Sequence, residues 1–222
     1  MSKDDKSVLV VGAGPVGLVA TASLISAGIP VKLIESTADL AQDLRASTFH
    51  PPTLDFLDKL GIADQLVEPG LVCKHWQFRD RNTGIVASFD LSLLKGETKF
   101  PFRLQCEQWK LTKALRMYIE NHPDGELITR TSAEEVGQND DGVWVKTTDS
   151  EGYKKRYEGS FLIGSDGARS IVRKSINAKF EGMTIPEIFL VLSTNFQYVE
   201  LSKTCVTIIF DMFEKLHMST TT

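Results

Sequence analysis

The sequence predicts an α/β fold in which parallel strands alternate with helices and an antiparallel β-meander is appended. Three observations predict it. An apolar run, Val8-Leu9-Val10-Val11, passes through a glycine-rich turn into a helical pattern and then a second strand, Val31-Lys32-Leu33-Ile34-Glu35. Short strand patterns separated by hairpin turns fill residues 131–163. A last apolar strand, Phe161-Leu162-Ile163-Gly164, runs directly into Ser165-Asp166-Gly167.

The elements follow in order. Val8–Val11 is apolar without alternation, as in a strand covered on both faces. Residues 15–27 read as a helix, with Pro15 suited to its first position and Gly28 to its stop. With the strand at 31–35 they make one β-α-β unit of about 30 residues. Residues 36–50 are loop-like, and Pro51 and Pro52 precede a helix over 53–60 that Gly61 closes. Residues 72–104 alternate loosely, with turn signals at Arg81-Asn82-Thr83-Gly84 and Lys95-Gly96, and read as short antiparallel strands interrupting the first domain. Leu111, Ala114, Leu115, Tyr118 and Ile119 then fall on one helical stripe within 107–121. Asn139-Asp140-Asp141-Gly142 and Asp149-Ser150-Glu151-Gly152 are hairpin turns. A short helix over 169–176 follows the last strand. The chain has no internal repeat and no low-complexity segment.

Composition narrows the function classes. The 222 residues are 42% hydrophobic and 24% charged, with a formal net charge of -4, an ordinary globular balance. No basic block points to nucleic acid and no polybasic stretch to an anionic membrane surface, so neither partner is expected. The apolar run near the N-terminus is too short for a signal segment, and nothing approaches a membrane span. The expected setting is soluble and cytoplasmic. Cys73, Cys106 and Cys205 are odd in number and far apart, which gives neither a disulfide framework nor a metal pair. His50, His75, His122 and His217 are scattered. No metal site, catalytic triad or paired carboxylates stand out, so no catalytic residue is assigned.

The sharpest motif is Gly12-Ala13-Gly14-Pro15-Val16-Gly17, between a strand and a helix. Gly12 permits the tight turn, Gly14 lets backbone approach a pyrophosphate, and Gly17 allows close packing. The helix N-terminus offers unpaired N–H groups and a positive dipole end to phosphate. Glu35 closes the next strand 18 residues after Gly17. A carboxylate there can accept hydrogen bonds from ribose hydroxyls and would repel a 2′-phosphate, which disfavours NADP in this pocket. The pattern is that of a Rossmann-like dinucleotide site, and on this motif alone both FAD and NAD remain open.

Four features in order resemble the FAD-dependent aromatic hydroxylases, the flavoprotein monooxygenase family typified by para-hydroxybenzoate hydroxylase and phenol hydroxylase. They are the glycine motif at 12–17, Glu35 followed by Arg45, the Arg103-Leu104-Gln105 block before a helix, and Gly164-Ser165-Asp166-Gly167-Ala168-Arg169-Ser170. The resemblance covers roughly residues 7–195. It implies a Rossmann-like FAD-binding domain plus the start of a β-sheet substrate domain. The implied boundaries are 1–75 with 103–182 for the FAD domain and 76–102 with 183–198 for partial substrate-domain strands. Residues 199–222 are left as an atypical tail. Glu35 and Ser36 would meet the adenosine ribose. Arg45 would lie near the flavin end, Gln105 would hydrogen-bond the cofactor from the start of the 107–121 helix, and Val136 would present backbone groups to adenine. Asp166 and Gly167 would contact ribose or pyrophosphate. Local roles compete at each position: a solvated arginine, a helix-cap partner, a plain strand residue, an Asp-Gly turn with its own cap.

The same resemblance implies an NAD(P)H- and O2-dependent hydroxylation of a small phenolic substrate, with FAD carrying the reactive atoms. Trp76, Phe78, Phe89, Phe100 and Phe102 would lie toward that substrate, although such residues are also ordinary strand core. Family members continue well past this length, and the resemblance fades after about Tyr198. A truncated chain with weakened FAD binding and little turnover is therefore expected. Two other readings stay open from the residues: an NAD-dependent dehydrogenase or reductase, and a non-catalytic FAD-binding module. Substrate identity and oligomeric state are not legible.

Overall fold

The computed structural model describes residues 7–40, 46–80 and 82–186, together with the backbone of 205–210 and 215–218. In chain order the first elements are β1 (Val8–Val11), α1 (Pro15–Ser26), β2 (Val31–Ile34), β3 (Thr48–Phe49), α2 (Pro51–Lys59) and α3 (Ala63–Val67). Next come β4 (Leu71–Cys73), β5 (His75–Asp80), β6 (Gly84–Asp90), β7 (Arg103–Gln105) and α4 (Gln108–Glu120). The rest are β8 (Gly125–Ile128), β9 (Thr131–Asn139), β10 (Gly142–Asp149), β11 (Lys154–Gly159), β12 (Phe161–Gly164), α5 (Ile171–Ser175), β13 (Cys205–Phe210) and β14 (Lys215–Met218). They fall into two compact units, Met1–Asp43 with Leu111–Met183, and Leu44–Lys110 with Thr184–Thr222.

In the first unit a parallel sheet has the order β12-β1-β2-β8. β1 is central and buried along its whole length. Alternation sends Leu9 and Val11 to one face, where they join Ile34, Val136, Val145, Tyr157 and Val172 in a single apolar cluster. The antiparallel sheet β11-β10-β9 supplies much of that cover. On the side of α1, Leu18, Ala22 and Ile25 are buried, and a methyl on Gly125 would touch Ile25 and Ile119. α1 and α4 therefore close on the start of β8. Each apolar side chain of this kind that is fully buried contributes about 1.5–3 kcal/mol to the stability of such a sheet.

The second unit holds an antiparallel sheet β3-β7-β4, helices α2 and α3, and a second sheet β14-β13-β5-β6. Leu54, Leu57, Ile62, Leu66 and Leu104 are its largest fully buried side chains. On β5 and β6, Trp76, Phe78 and Phe89 form an aromatic cluster with ring centroids 5.0–6.0 Å apart.

The structure departs from the sequence reading in several places. β8, with two apolar residues in four, shows no periodicity. Its pairing with β2, Val31↔Gly125 to Ile34↔Ile128, makes it a strand. β3 lies inside the segment read as loop, because Thr48 and Phe49 pair with Gln105 and Leu104. α2 begins at Pro51, since both prolines fit a first turn whose N–H groups have no partner anyway. α3 was not expected at all. Residues 205–210 pair in parallel with β5, from Cys205↔His75 to Phe210↔Asp80, so part of the tail joins a sheet. The expected substrate-sheet start at 189–196 lies outside the described residues.

Candidate dinucleotide site

Strand order explains where a ligand could enter. β1 runs through α1 to β2 on one side, and β12 lies on its other side. The chain goes from β1 outward to β2 and later β8, then returns through β9, β10 and β11 to β12 on the other side of β1, and such a switch point opens a crevice beyond the carboxyl ends of the strands. The three loops meeting there follow β1 (Gly12-Ala13-Gly14), β2 (Glu35-Ser36-Thr37) and β12 (Ser165-Asp166-Gly167).

They are tied to one another. Gly12 adopts a φ of +97°, and a methyl built on it would stand 2.5 Å from the Ser165 carbonyl oxygen and 2.8 Å from Asp166 Cα. Only glycine fits between the turn and β12. A methyl on Gly17 would collide with the Gly12 carbonyl and come 2.5 Å from Ser165 Oγ. The third glycine therefore packs α1 against the turn itself. Ser165 fastens the seam: its N–H donates to Val11 O at 2.8 Å, and its hydroxyl lies 2.9 Å from Val11 O and 2.8 Å from Gly12 O.

Gly14 differs. It is the N-cap of α1, at φ −67° and ψ 177°, without a side-chain cap bond, and a methyl there would meet nothing within 4 Å. Pro15 follows, no acidic residue occupies the first turn, and Val16 is 70% exposed. The first N–H groups of a 12-residue helix thus face an open cradle with the positive end of its dipole. That space is what a pyrophosphate requires, so the residues present fit a dinucleotide.

Glu35 is half-buried and heavily hydrogen-bonded. Oε2 accepts the Ala13 N–H at 2.7 Å. Oε1 accepts the Thr37 N–H at 2.8 Å and the Thr37 and Ser36 hydroxyls at 3.0 Å each. Burial is the largest influence on its pKa and pushes it up, but the bonds from Thr37, Ala13 and Ser36 together outweigh it and hold the carboxyl below its usual range. The carboxylate is ionised and links the β1 and β2 loops. Oε1 already takes three bonds and Oε2 one, so Oε2 is the oxygen with an acceptor position still open.

Asp166 is engaged locally. Oδ1 accepts from Ser170 Oγ at 2.5 Å, and Oδ2 accepts the N–H groups of Ile171 at 2.6 Å and Val172 at 3.3 Å, which caps α5. Gly167 is exposed at φ +79°. The Val136 side chain is buried in the apolar cluster, and β9 has an edge without a ladder partner among the described residues. Gln105 belongs to the second unit and stands in β7, not at the start of α4. Its Oε1 accepts from Thr48 Oγ1 at 3.0 Å, while its buried Nε2 has no partner among the described residues. Arg45 lies outside the described residues.

The structure thus brings Gly12, Gly14, Pro15, Val16, Gly17, Glu35, Ser36, Asp166 and Gly167 around one crevice. Sequence reasoning missed Ala13, Thr37 and Ser165 as the residues that join its three loops. The hydroxyl pair after Glu35 and the serine before Asp166-Gly167 were the available signals. Among the described residues there is no group of three or more His, Cys, Asp or Glu suited to a metal, and no helix is long and apolar enough to cross a membrane.

Comparison with known proteins identifies the family of the chain. A family model described as an FAD-binding domain matches residues 5–218, past the point where the sequence resemblance fades. Para-nitrophenol 4-monooxygenase of Pseudomonas sp. (strain WBC-3) is 33% identical over 180 residues, covering 81% of this chain and 44% of its own. The 6-hydroxy-3-succinoylpyridine 3-monooxygenase HspB of Pseudomonas putida (strain DSM 28022 / S16) is 34% identical over 206 residues, covering 87% of this chain and 49% of its own. The crystal structure of p-nitrophenol 4-monooxygenase PnpA from Pseudomonas putida DLL-E4 superposes with a TM-score of 0.76 at 31% identity, over 81% of this chain and 46% of that one. The chain therefore spans less than half the length of these relatives.

Proposed function

The chain belongs to the FAD-binding domain family, and from that premise we propose that it is the cofactor-binding part of an NAD(P)H- and O2-dependent monooxygenase that hydroxylates a small phenolic compound. The family settles the ligand that Glu35 and the glycine turn had left open between FAD and NAD. The observation that carries the reading is the uncapped N-terminus of α1 beside Gly14, where a side chain would meet no protein atom within 4 Å. The relatives' names supply the phenolic class.

When bound, FAD supplies the redox chemistry. This chain's residues hold and orient it. The N–H groups of Val16 and Gly17, with the α1 dipole, neutralise pyrophosphate charge. Glu35 accepts a ribose hydroxyl through the spare position on Oε2, with Ser36 beside it. Asp166 and Gly167 set the β12 wall of the crevice, and Val136 offers edge-strand backbone to adenine. Gln105 donates from its Nε2, which has no partner among the described residues, and Arg45 serves the flavin end. Residues 1–75 with 103–182 are assigned to the FAD domain, and 76–102 with 183–198 to the substrate side. The cytoplasm is the matching compartment, since NAD(P)H is the electron donor.

Titrating the chain with FAD while following flavin fluorescence tests the cofactor reading. Saturable quenching is expected, and unchanged emission would overturn it. Coupling of NAD(P)H oxidation to formation of a hydroxylated phenol tests the reaction. Donor oxidation that leaves the phenol intact would favour a non-hydroxylating flavin module instead.

A further inference from the structure

Among the described residues two that are not glycine adopt a left-handed backbone, Arg130 at φ +53° and Asn177 at φ +55°. Asn177 is explained by its place. Asparagine tolerates this region, and here it ends α5, its N–H bonded to Lys174 O at 3.0 Å and that of Ala178 to Arg173 O at 3.1 Å. Arg130 has no such explanation. Its Cβ crowds the following carbonyl, and glycine would make the same turn at lower cost.

The turn nevertheless fixes Arg130 firmly. It joins β8 to β9 at the carboxyl end of the parallel sheet and is bonded along the β2 loop. The Glu35 N–H donates to Ile128 O at 2.8 Å, that of Arg130 to Thr37 O at 3.1 Å, and that of Thr131 to Glu35 O at 2.9 Å. Thr131 is buried, and its hydroxyl donates to Thr129 O at 2.9 Å. Backbone strain that the surroundings sustain in this way is concentrated at ligand clamps. Arg130 is exposed, and its guanidinium makes no hydrogen bond or ion pair among the described residues.

Its position suits one part of a dinucleotide. Glu35 sends its carboxylate to Ala13 on the β1 side and its main chain to residues 128–131 on the β8 side. A ribose held at Glu35 Oε2 has its 5′-phosphate toward α1, so the base on C1′ lies on the opposite side of the sugar. In the strand order β12-β1-β2-β8, the next loop past Glu35 is the one that carries Arg130. A guanidinium is planar and charged, and it stacks on an aromatic face. We infer that Arg130 is a positioning residue of the crevice, its guanidinium lying over the purine of the bound adenosine, and that the left-handed turn serves this contact. This rests on the FAD reading above and adds to it the residue that recognises the base.

The test measures ADP and UDP binding to the full chain by calorimetry, with FAD titrated in parallel. The two diphosphates share the ribose and the pyrophosphate and differ in the base, and the purine offers the larger face. The native chain is expected to bind ADP about fivefold tighter than UDP. Arg130→Gly should remove that preference and weaken FAD by the same factor. It should also raise the urea midpoint of the ligand-free chain, because glycine takes the left-handed turn without strain. Arg130→Lys should keep part of the preference, since lysine retains the charge but not the plane. A residue that only shapes the turn would behave otherwise. Equal loss of ADP and UDP affinity in Arg130→Gly, or a lowered urea midpoint, would therefore overturn the inference. A native chain that binds FAD without preferring ADP over UDP sinks only the role of Arg130, whereas one that binds neither FAD nor ADP sinks the FAD reading with it.

Discussion

Glu35→Gln is the change that bears most directly on the crevice, because the two side chains have the same shape and differ in charge and in one acceptor. In the native chain Oε1 takes the three bonds from Thr37 and Ser36, and Oε2 takes the Ala13 N–H. Glutamine keeps the three if its oxygen faces Thr37, and its amide nitrogen then faces the Ala13 N–H, donor against donor. The opposite orientation loses three bonds to save one, so the first prevails. What disappears is one charge-assisted hydrogen bond, about 1.5–3 kcal/mol, together with the charge behind the other three. Glu35 is half-exposed, so water replaces part of this, and a net destabilisation of about 1.5 kcal/mol is expected. Urea unfolding followed by circular dichroism measures it.

The difference should depend on pH with a definite sign. The native carboxyl has a pKa below its unfolded value. Its contribution is therefore fully present above the unfolded pKa and is lost as pH falls through the folded one. Wild type and Glu35→Gln should differ at neutral pH and converge in acid. FAD affinity should fall about tenfold, equivalent to about 1.4 kcal/mol. A variant as stable as wild type at neutral pH, or a gap that stays constant into acid, would refute the assignment of Glu35 as the ionised link between the two loops.

Other outcomes separate folding from binding. Gly12→Ala forces a methyl toward the Ser165 carbonyl at a φ of +97°, and a loss of about 2–4 kcal/mol in urea unfolding is expected. Gly14→Ala, at φ −67° with open space around the new methyl, should leave stability level or raise it by about 0.5 kcal/mol, while FAD titration shows affinity at least about tenfold weaker. Ser165→Ala unfastens β12 from the glycine turn and should cost about 1–2 kcal/mol by the same unfolding assay. Cys106 is 1% exposed, and burial, its largest influence, pushes the thiol pKa up. Iodoacetamide in mild alkali should therefore label it only after urea is added, as read by mass spectrometry.

How much could be read from the chain alone varies by element. β1, α1, β2, α4 and the β9–β10 hairpin follow from local pattern: a continuous apolar run, a proline start and glycine stop, an apolar stripe, a turn tetrapeptide. β8 and β3 do not, because two to four residues carry no period, and only their partners β2 and β7 make them strands. The same divide runs through the site. Glycine spacing and a carboxylate after the second strand reveal the kind of ligand, because those residue types have few other uses in that order. The roles of Ser165 and Thr37, and the capping of α5 by Asp166, depend on contacts across the sheet or between successive loops.

The residue order by itself determined the class of the fold, the glycine turn between β1 and α1, and the acidic partner of that turn, since all three arise within one β-α-β unit of contiguous chain. Only the tertiary structure decided that β12 lies against β1, so that Ser165, 153 residues away in sequence from Gly12, presses on it. It also decided that Glu35 is held by Ala13 and that the half-buried Arg103 lays its guanidinium over the Trp76 ring. Contacts between residues far apart in sequence, and the burial they impose, come from the packing of surfaces that no local pattern encodes.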